Sequence, residues 1–262
     1  MTGTGTQADP YIVSTWEDFV TAVNTTDAYV EFVENTVIDM NNVLPTGVNT
    51  DITANCTQVD GKGSVIKNLY LTDNAYWNLY KSGGIMKNLS LVNMRRDGTS
   101  GETFSIYGTF TFYNCVITGS FGGEYIFNCG KVIFQSCSIA MQVQNCIFAH
   151  NAYYDERCPN FVNSFLRVYG DARLTGNVGQ ICLENSIIFG VLPSTSIYRS
   201  TKSIVDCTVP DDTSIRVNNG SAYINSDKFG TGVTTTNCVR LTTEQIQSPE
   251  YLFSIGFPIG VD

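Results

Sequence analysis

The chain has 262 residues, and 43% of them are hydrophobic, enough to fill a core and to exclude a disordered polymer. Charged residues make up only 15% and the net charge is -9 with Lys and Arg scattered, which argues against a phosphate-binding surface and so against nucleic acid as a partner. No apolar run approaches the ~20 residues that span a bilayer, so no membrane partner is expected.

Met1-Thr2-Gly3-Thr4-Gly5-Thr6 has neither the basic region nor the apolar stretch of a secretory signal, so the chain is expected to fold in a cytoplasm. Residues 1–40 read as an N-terminal cap. Tyr11-Ile12-Val13 predicts a short strand, and Ser14-x-x-Glu17 is a capping-box pattern. It opens a short helix with Trp16, Phe19, Val20 and Val23 on one face.

Residues 41–240 carry an internal repeat: apolar, any, Asn, small or apolar, any, apolar. Its copies are Ile66-Lys67-Asn68-Leu69-Tyr70-Leu71, Met86-Lys87-Asn88-Leu89-Ser90-Leu91, Phe112-Tyr113-Asn114-Cys115-Val116-Ile117 and Phe134-Gln135-Ser136-Cys137-Ser138-Ile139. They continue as Phe161-Val162-Asn163-Ser164-Phe165-Leu166, Leu183-Glu184-Asn185-Ser186-Ile187-Ile188, Ile204-Val205-Asp206-Cys207-Thr208-Val209 and, weakly, Tyr223-Ile224-Asn225-Ser226. The central residues step by 20, 26, 22, 27, 22, 21 and 19, which predicts about eight solenoid turns of ~22 residues with loops inserted in some. Asn145-Cys146 and Asn237-Cys238 match the pattern off this register.

In a continuous strand the residues two before and one after the Asn would face opposite ways, yet both are apolar. One residue in the left-handed conformation, which Asn tolerates, would bend the chain and turn both inward. Stacked corners then place Asn68, Asn88, Asn114, Asn163 and Asn185 in one column, where amides hydrogen-bond from rung to rung. Cys115, Cys137, Ser164, Ser186 and Cys207 form a second column of small residues. The nine cysteines are odd in number and form no C-x-x-C pair, so they are expected to be reduced core thiols.

Residues 241–262 read as a C-terminal cap. Thr242-Thr243-Glu244-Gln245 and Ser248-Pro249-Glu250-Tyr251 each predict a helix start, and Phe253, Ile255, Phe257 and Ile259 are expected to cover the last rung.

This corner chemistry resembles the right-handed parallel β-helix proteins of the pectate-lyase-like superfamily. Ala8-Asp9-Pro10-Tyr11-Ile12-Val13-Ser14-Thr15 resembles the start of β-helix domains in phage and bacterial surface proteins. The expected fold is therefore all-β, a single-stranded right-handed parallel β-helix with short helical caps at both ends.

The resemblance implies polysaccharide cleavage as the leading chemistry, by calcium-dependent lyases or by hydrolases with carboxylates on adjacent rungs. Asp97, Glu102, Glu124, Asp155, Glu156 and Asp171 share no rung position in this register. Asn49-Thr50-Asp51 and Asp211-Asp212 look like two hydrolase motifs, but they lie too many coils apart and the accompanying Gly-His-Gly is missing. His150, the only histidine, has no nucleophile at arguable spacing, and Asp39-Met40-Asn41-Asn42 lacks EF-hand spacing. No catalytic, cofactor-binding or metal-binding residue is therefore expected. Recognition is placed instead on the insertions at 93–103 and 149–160, the second carrying Tyr153, Tyr154 and Arg157. The expectation is a non-enzymatic virion structural protein of a bacteriophage, a capsid decoration or head-fibre-like component whose partners are other virion proteins. A tail spike or adhesin binding surface glycans is the first alternative, and a polysaccharide lyase or hydrolase the second.

Overall fold

The computed structural model describes residues 1–41, 52–71, 77–97, 102–122, 125–143, 147–150, 159–170, 173–175, 180–191 and 195–256. They form an all-β parallel solenoid. One ladder of paired segments runs through 29–31, 58–60, 85–87, 111–113, 133–135, 160–162, 182–184 and 199–201. A second runs through 37–39, 65–67, 90–92, 116–118, 138–140, 165–167, 187–189 and 204–206. A third, 52–54, 77–79, 104–106, 125–128, 147–149 and 173–175, closes the coil over about six turns rather than the eight expected. The larger count rested on corner marks that continue toward the C-terminus, where one corner-to-corner step falls to 17 residues.

The first and second ladders meet at one left-handed residue per coil. Asn88, Asn114, Ser136, Asn163, Asn185 and Lys202 have φ of 52°, 50°, 54°, 48°, 47° and 46°. The corner restores the inward direction as the repeat requires: Met86 with Leu89, Phe112 with Cys115 and Phe134 with Cys137 are all buried. Inside the coil the large side chains stack in register. Phe161 lies 5.1 Å from Phe134, which lies 5.4 Å from Phe112, and Phe127 lies 4.9 Å from Phe104. Identical rings repeated at the rung spacing give offset stacks, which add to the burial of apolar area.

At the N-terminal end α1 (Trp16–Asn24) buries Trp16, Phe19, Ala22 and Val23, while Val20 is only half-buried. Phe19 carries the aromatic stack into the cap, 6.1 Å from Trp77. The helix is capped by Thr15, whose hydroxyl accepts from Asp18 N at 3.2 Å, rather than by Ser14, because Thr15 is the last extended residue. Thr2 bridges Ile12 in antiparallel fashion and covers the edge of Tyr11–Val13. The segments 29–31 and 37–39 already pair in the ladders, within the stretch read as cap.

At the other end α2 (Thr243–Gln247) and α3 (Pro249–Ser254) start where expected, α2 with the Thr242/Gln245 capping box. Neither helix buries a residue, and Phe253 is 73% exposed, so it does not cover the last rung. Helices of five and six residues have too little apolar face to seal a rung alone. Ile255 is half-buried, its carbonyl accepting from Tyr223 Oη at 3.4 Å; Phe257 and Ile259 lie outside the described residues.

Candidate functional site

The expected amide column is two columns. On the first corner, Asn114 Nδ2 donates to Asn88 Oδ1 at 2.8 Å and Asn88 Nδ2 donates to Asp60 Oδ1 at 3.0 Å. Ser136 interrupts the amides, and the column resumes where Asn185 Nδ2 donates to Asn163 Oδ1 at 3.3 Å. Asn68 does not belong there. It donates to Asp39 Oδ1 at 2.7 Å and accepts from Asn93 Nδ2 at 2.6 Å, forming a second column at the far end of the second ladder. The pattern around Asn68 is the same, but the ladder pairs Lys67 with Val92, so the next rung beside Asn68 is Asn93. Asp39, 29 residues before Asn68, and Asn93, 25 after it, were signals in the sequence of this column.

The small column also needs one correction. Cys115, Cys137, Ser164 and Ser186 are stacked, but the next member is Ser203. Cys207 sits further along the strand, opposite Gly190, because the corner of that coil is Lys202 and not Asp206. The hydroxyls do more than fill space. Ser164 Oγ accepts from Cys137 N and donates to Phe134 O at 2.9 Å, and Ser186 Oγ accepts from Ser164 N and donates to Phe161 O at 3.0 Å. Each satisfies backbone groups that the bend removes from the ladder. Asn237 turns out to be a corner as well, with φ of 56° and Cys238 opposite Ala222.

The carboxylates nearest these columns are held by neighbours on their own and adjacent rungs. The Asn68 amide, the Asn41 N–H and Lys67 draw Asp39 down to about 2. Burial works to raise Asp60, but Asn88, the Lys62 N–H and Lys87 outweigh it and leave its carboxyl below the ordinary range. Lys87 Nζ lies 3.2 Å and Lys62 Nζ 3.7 Å from Asp60 Oδ2. Unlike charges on neighbouring rungs thus avoid the repulsion that stacked like charges would suffer.

Beside this corner an open groove of about 440 Å³ is lined by Glu34, Lys62, Gly63, Asn88, Ser90, Asn114 and Val116. It combines a carboxylate, an ammonium, amides and a hydroxyl with one aliphatic side chain. The sequence marked the Asn residues for structure but not this groove. Further round, Tyr80 and Tyr107 are exposed and meet edge-on at 4.8 Å.

The residues proposed for recognition, Tyr153, Tyr154 and Arg157, lie outside the described residues, as do Glu124, Asp155, Glu156, Asp171 and Asn49-Thr50-Asp51. Of His150 only the backbone is described. Asp97 is paired with Arg95, and Asp211 Oδ1 accepts from Thr231 N at 2.6 Å. Arg96, next to Arg95 in sequence, points inward and is buried, with Nη1 donating to Gly122 O at 2.9 Å. Among the described residues no three His, Cys, Asp or Glu side chains gather as a metal site, and no helix is long and apolar enough to cross a membrane. Comparison of the chain with protein-family models, curated proteins and solved structures finds no match. What the fold defines is a parallel β-solenoid whose flank is built from repeated amide, carboxylate and hydroxyl positions.

Proposed function

We propose that the chain is a non-catalytic structural component of a bacteriophage particle, a capsid decoration or head-fibre-like prism that presents a rigid flank. The observation that carries this reading is the commitment of the corner side chains to rung-to-rung bonds, from Asp39 and Asp60 through Asn88 and Asn114 to Asn163 and Asn185. A carboxylate held in such a column by amide and ammonium donors is tuned for permanent ionisation, not for proton transfer near neutral pH. The likeness of residues 8–15 to the start of β-helix domains in phage and bacterial surface proteins supports a surface role of this kind. In this reading the chain folds in the host cytoplasm, with thiols reduced, and docks onto other virion proteins.

The test is mass spectrometry of purified particles from the source phage, with imaging of the position of the protein. Many copies on the capsid are expected; absence from particles refutes the proposal. The groove at Asn88 and Asn114 favours a second reading, glycan recognition by a tail spike or adhesin, since saccharides are bound by such amide and carboxylate edges. A few copies at the tail, with glycan-array binding lost on replacing Glu34 or Lys62, would favour that reading instead.

A further inference from the structure

Cys115 and Cys137 stand on adjacent rungs of the small column. Tyr113 pairs with Gln135 and Val116 with Ser138, so the two cysteines between them face each other in register. Both side chains point inward and are buried. Cys115 Sγ donates to Met86 O at 3.4 Å, and Cys137 Sγ donates to Phe112 O at 3.3 Å, so each thiol leans toward the preceding rung. Adjacent strands place facing Cα atoms about 4.8 Å apart, inside the roughly 4.4–6.8 Å window for a disulfide. Elsewhere in the ladders Cys207 faces Gly190 and Cys238 faces Ala222.

We propose that Cys115 and Cys137 form a modification site, a cross-rung dithiol that takes a small-molecule disulfide as oxidant and closes into a disulfide across the core. Cys137 loses its proton to solvent as the corner opens, attacks one sulfur of the oxidant and expels its first thiolate, which takes up a proton, leaving a mixed disulfide. Cys115 then gives up its proton, attacks Cys137 Sγ and expels the second thiolate. Two protein thiols are oxidised, and one small-molecule disulfide is reduced to two thiols. The interaction between the two neighbouring thiols holds Cys137 below the ordinary thiol range and, together with burial, pushes Cys115 above it, which orders the two steps. Because both thiols are buried, the reaction proceeds through local opening of the corner. The site stands independently of the particle reading. Under that reading it would stay open in a reducing cytoplasm and close after release.

The test incubates the full chain with oxidised glutathione at a urea concentration below the unfolding midpoint, and in parallel refolds it from full denaturation in the same buffer. Free thiols are alkylated and the chain is mapped by non-reducing peptide mass spectrometry. A peptide linking Cys115 to Cys137 is expected, with Cys56 and Cys207 alkylated and a Tm higher by about 5 °C that dithiothreitol reverses. Cys115→Ser and Cys137→Ser should fold, because Ser164 and Ser186 occupy the same column, and should lose both the link and the shift. Recovery of Cys115 and Cys137 as alkylated thiols in both arms, or linkage of either to another cysteine, overturns the proposal. Neither result bears on whether the protein is found on particles.

Discussion

The first amide column stops abruptly, and the stop yields a sharp prediction. Asn185 donates to Asn163, so its Oδ1 faces the next rung, where Lys202 stands at the corner. That oxygen is buried and has no hydrogen-bond partner among the described residues. Lys202 also holds φ of 46°, a conformation Asn accepts more easily than Lys. Lys202→Asn should therefore act twice. It supplies an amide donor to the orphaned oxygen, worth about 1 kcal/mol as a net bond with further relief of the desolvation cost. It also relieves part of a left-handed penalty of about 1 kcal/mol. Stabilisation of about 2 kcal/mol is expected, a Tm rise of roughly 4–8 °C for a chain of this size. Thermal and urea unfolding monitored by circular dichroism would measure it. Lys202→Gly separates the contributions, since it relieves the backbone without supplying the donor, and should gain little after its own entropy cost. The reasoning is refuted if Lys202→Asn is no more stable than the parent, or if Lys202→Gly gains as much.

Four other outcomes are expected. Asp39 has its carboxyl drawn down to about 2 from an ordinary 3.8, so its contribution to stability is complete above pH 4 and is lost as pH falls through about 2; Asp39→Asn should flatten the stability profile in that window, read from urea midpoints at successive pH values. Asp60→Ala leaves Asn88, Lys62 and Lys87 without their acceptor and should cost about 2 kcal/mol in chemical unfolding. Phe134→Ala empties the centre of the Phe112–Phe134–Phe161 stack and should cost about 3–5 kcal/mol, with early amide exchange in those rungs. A Cβ at Gly130 would lie 2.0 Å from the Gly108 carbonyl oxygen, so Gly130→Ala must push two rungs apart and should fall well below Phe134→Leu in Tm.

How much of this was legible in the sequence follows from the range of each interaction. The corner is local: an inward residue two before and one after Asn requires a left-handed turn, and Asn88, Asn114, Asn163 and Asn185 adopt it. The burial of Met86, Phe112 and Phe134, and of Leu89, Cys115 and Cys137, follows from the same local pattern. Helix starts at Thr242 and Ser248 were likewise readable, because a cap is a three-residue affair. Stacking partners were not, because they depend on how many residues each inserted loop consumes before the chain returns. The sequence therefore placed Asn68 beneath Asn88, whereas the coil brings it beside Asn93 and Asp39. It took Cys207 into the small column, where a 17-residue step installs Ser203. The burial of Arg96 beside exposed Arg95, the charge pairing around Asp60 and the groove at Asn114 arise only when rungs from distant segments are set side by side. Composition and corner chemistry determine that this chain coils; the register between coils, a long-range property, decides what its flank presents.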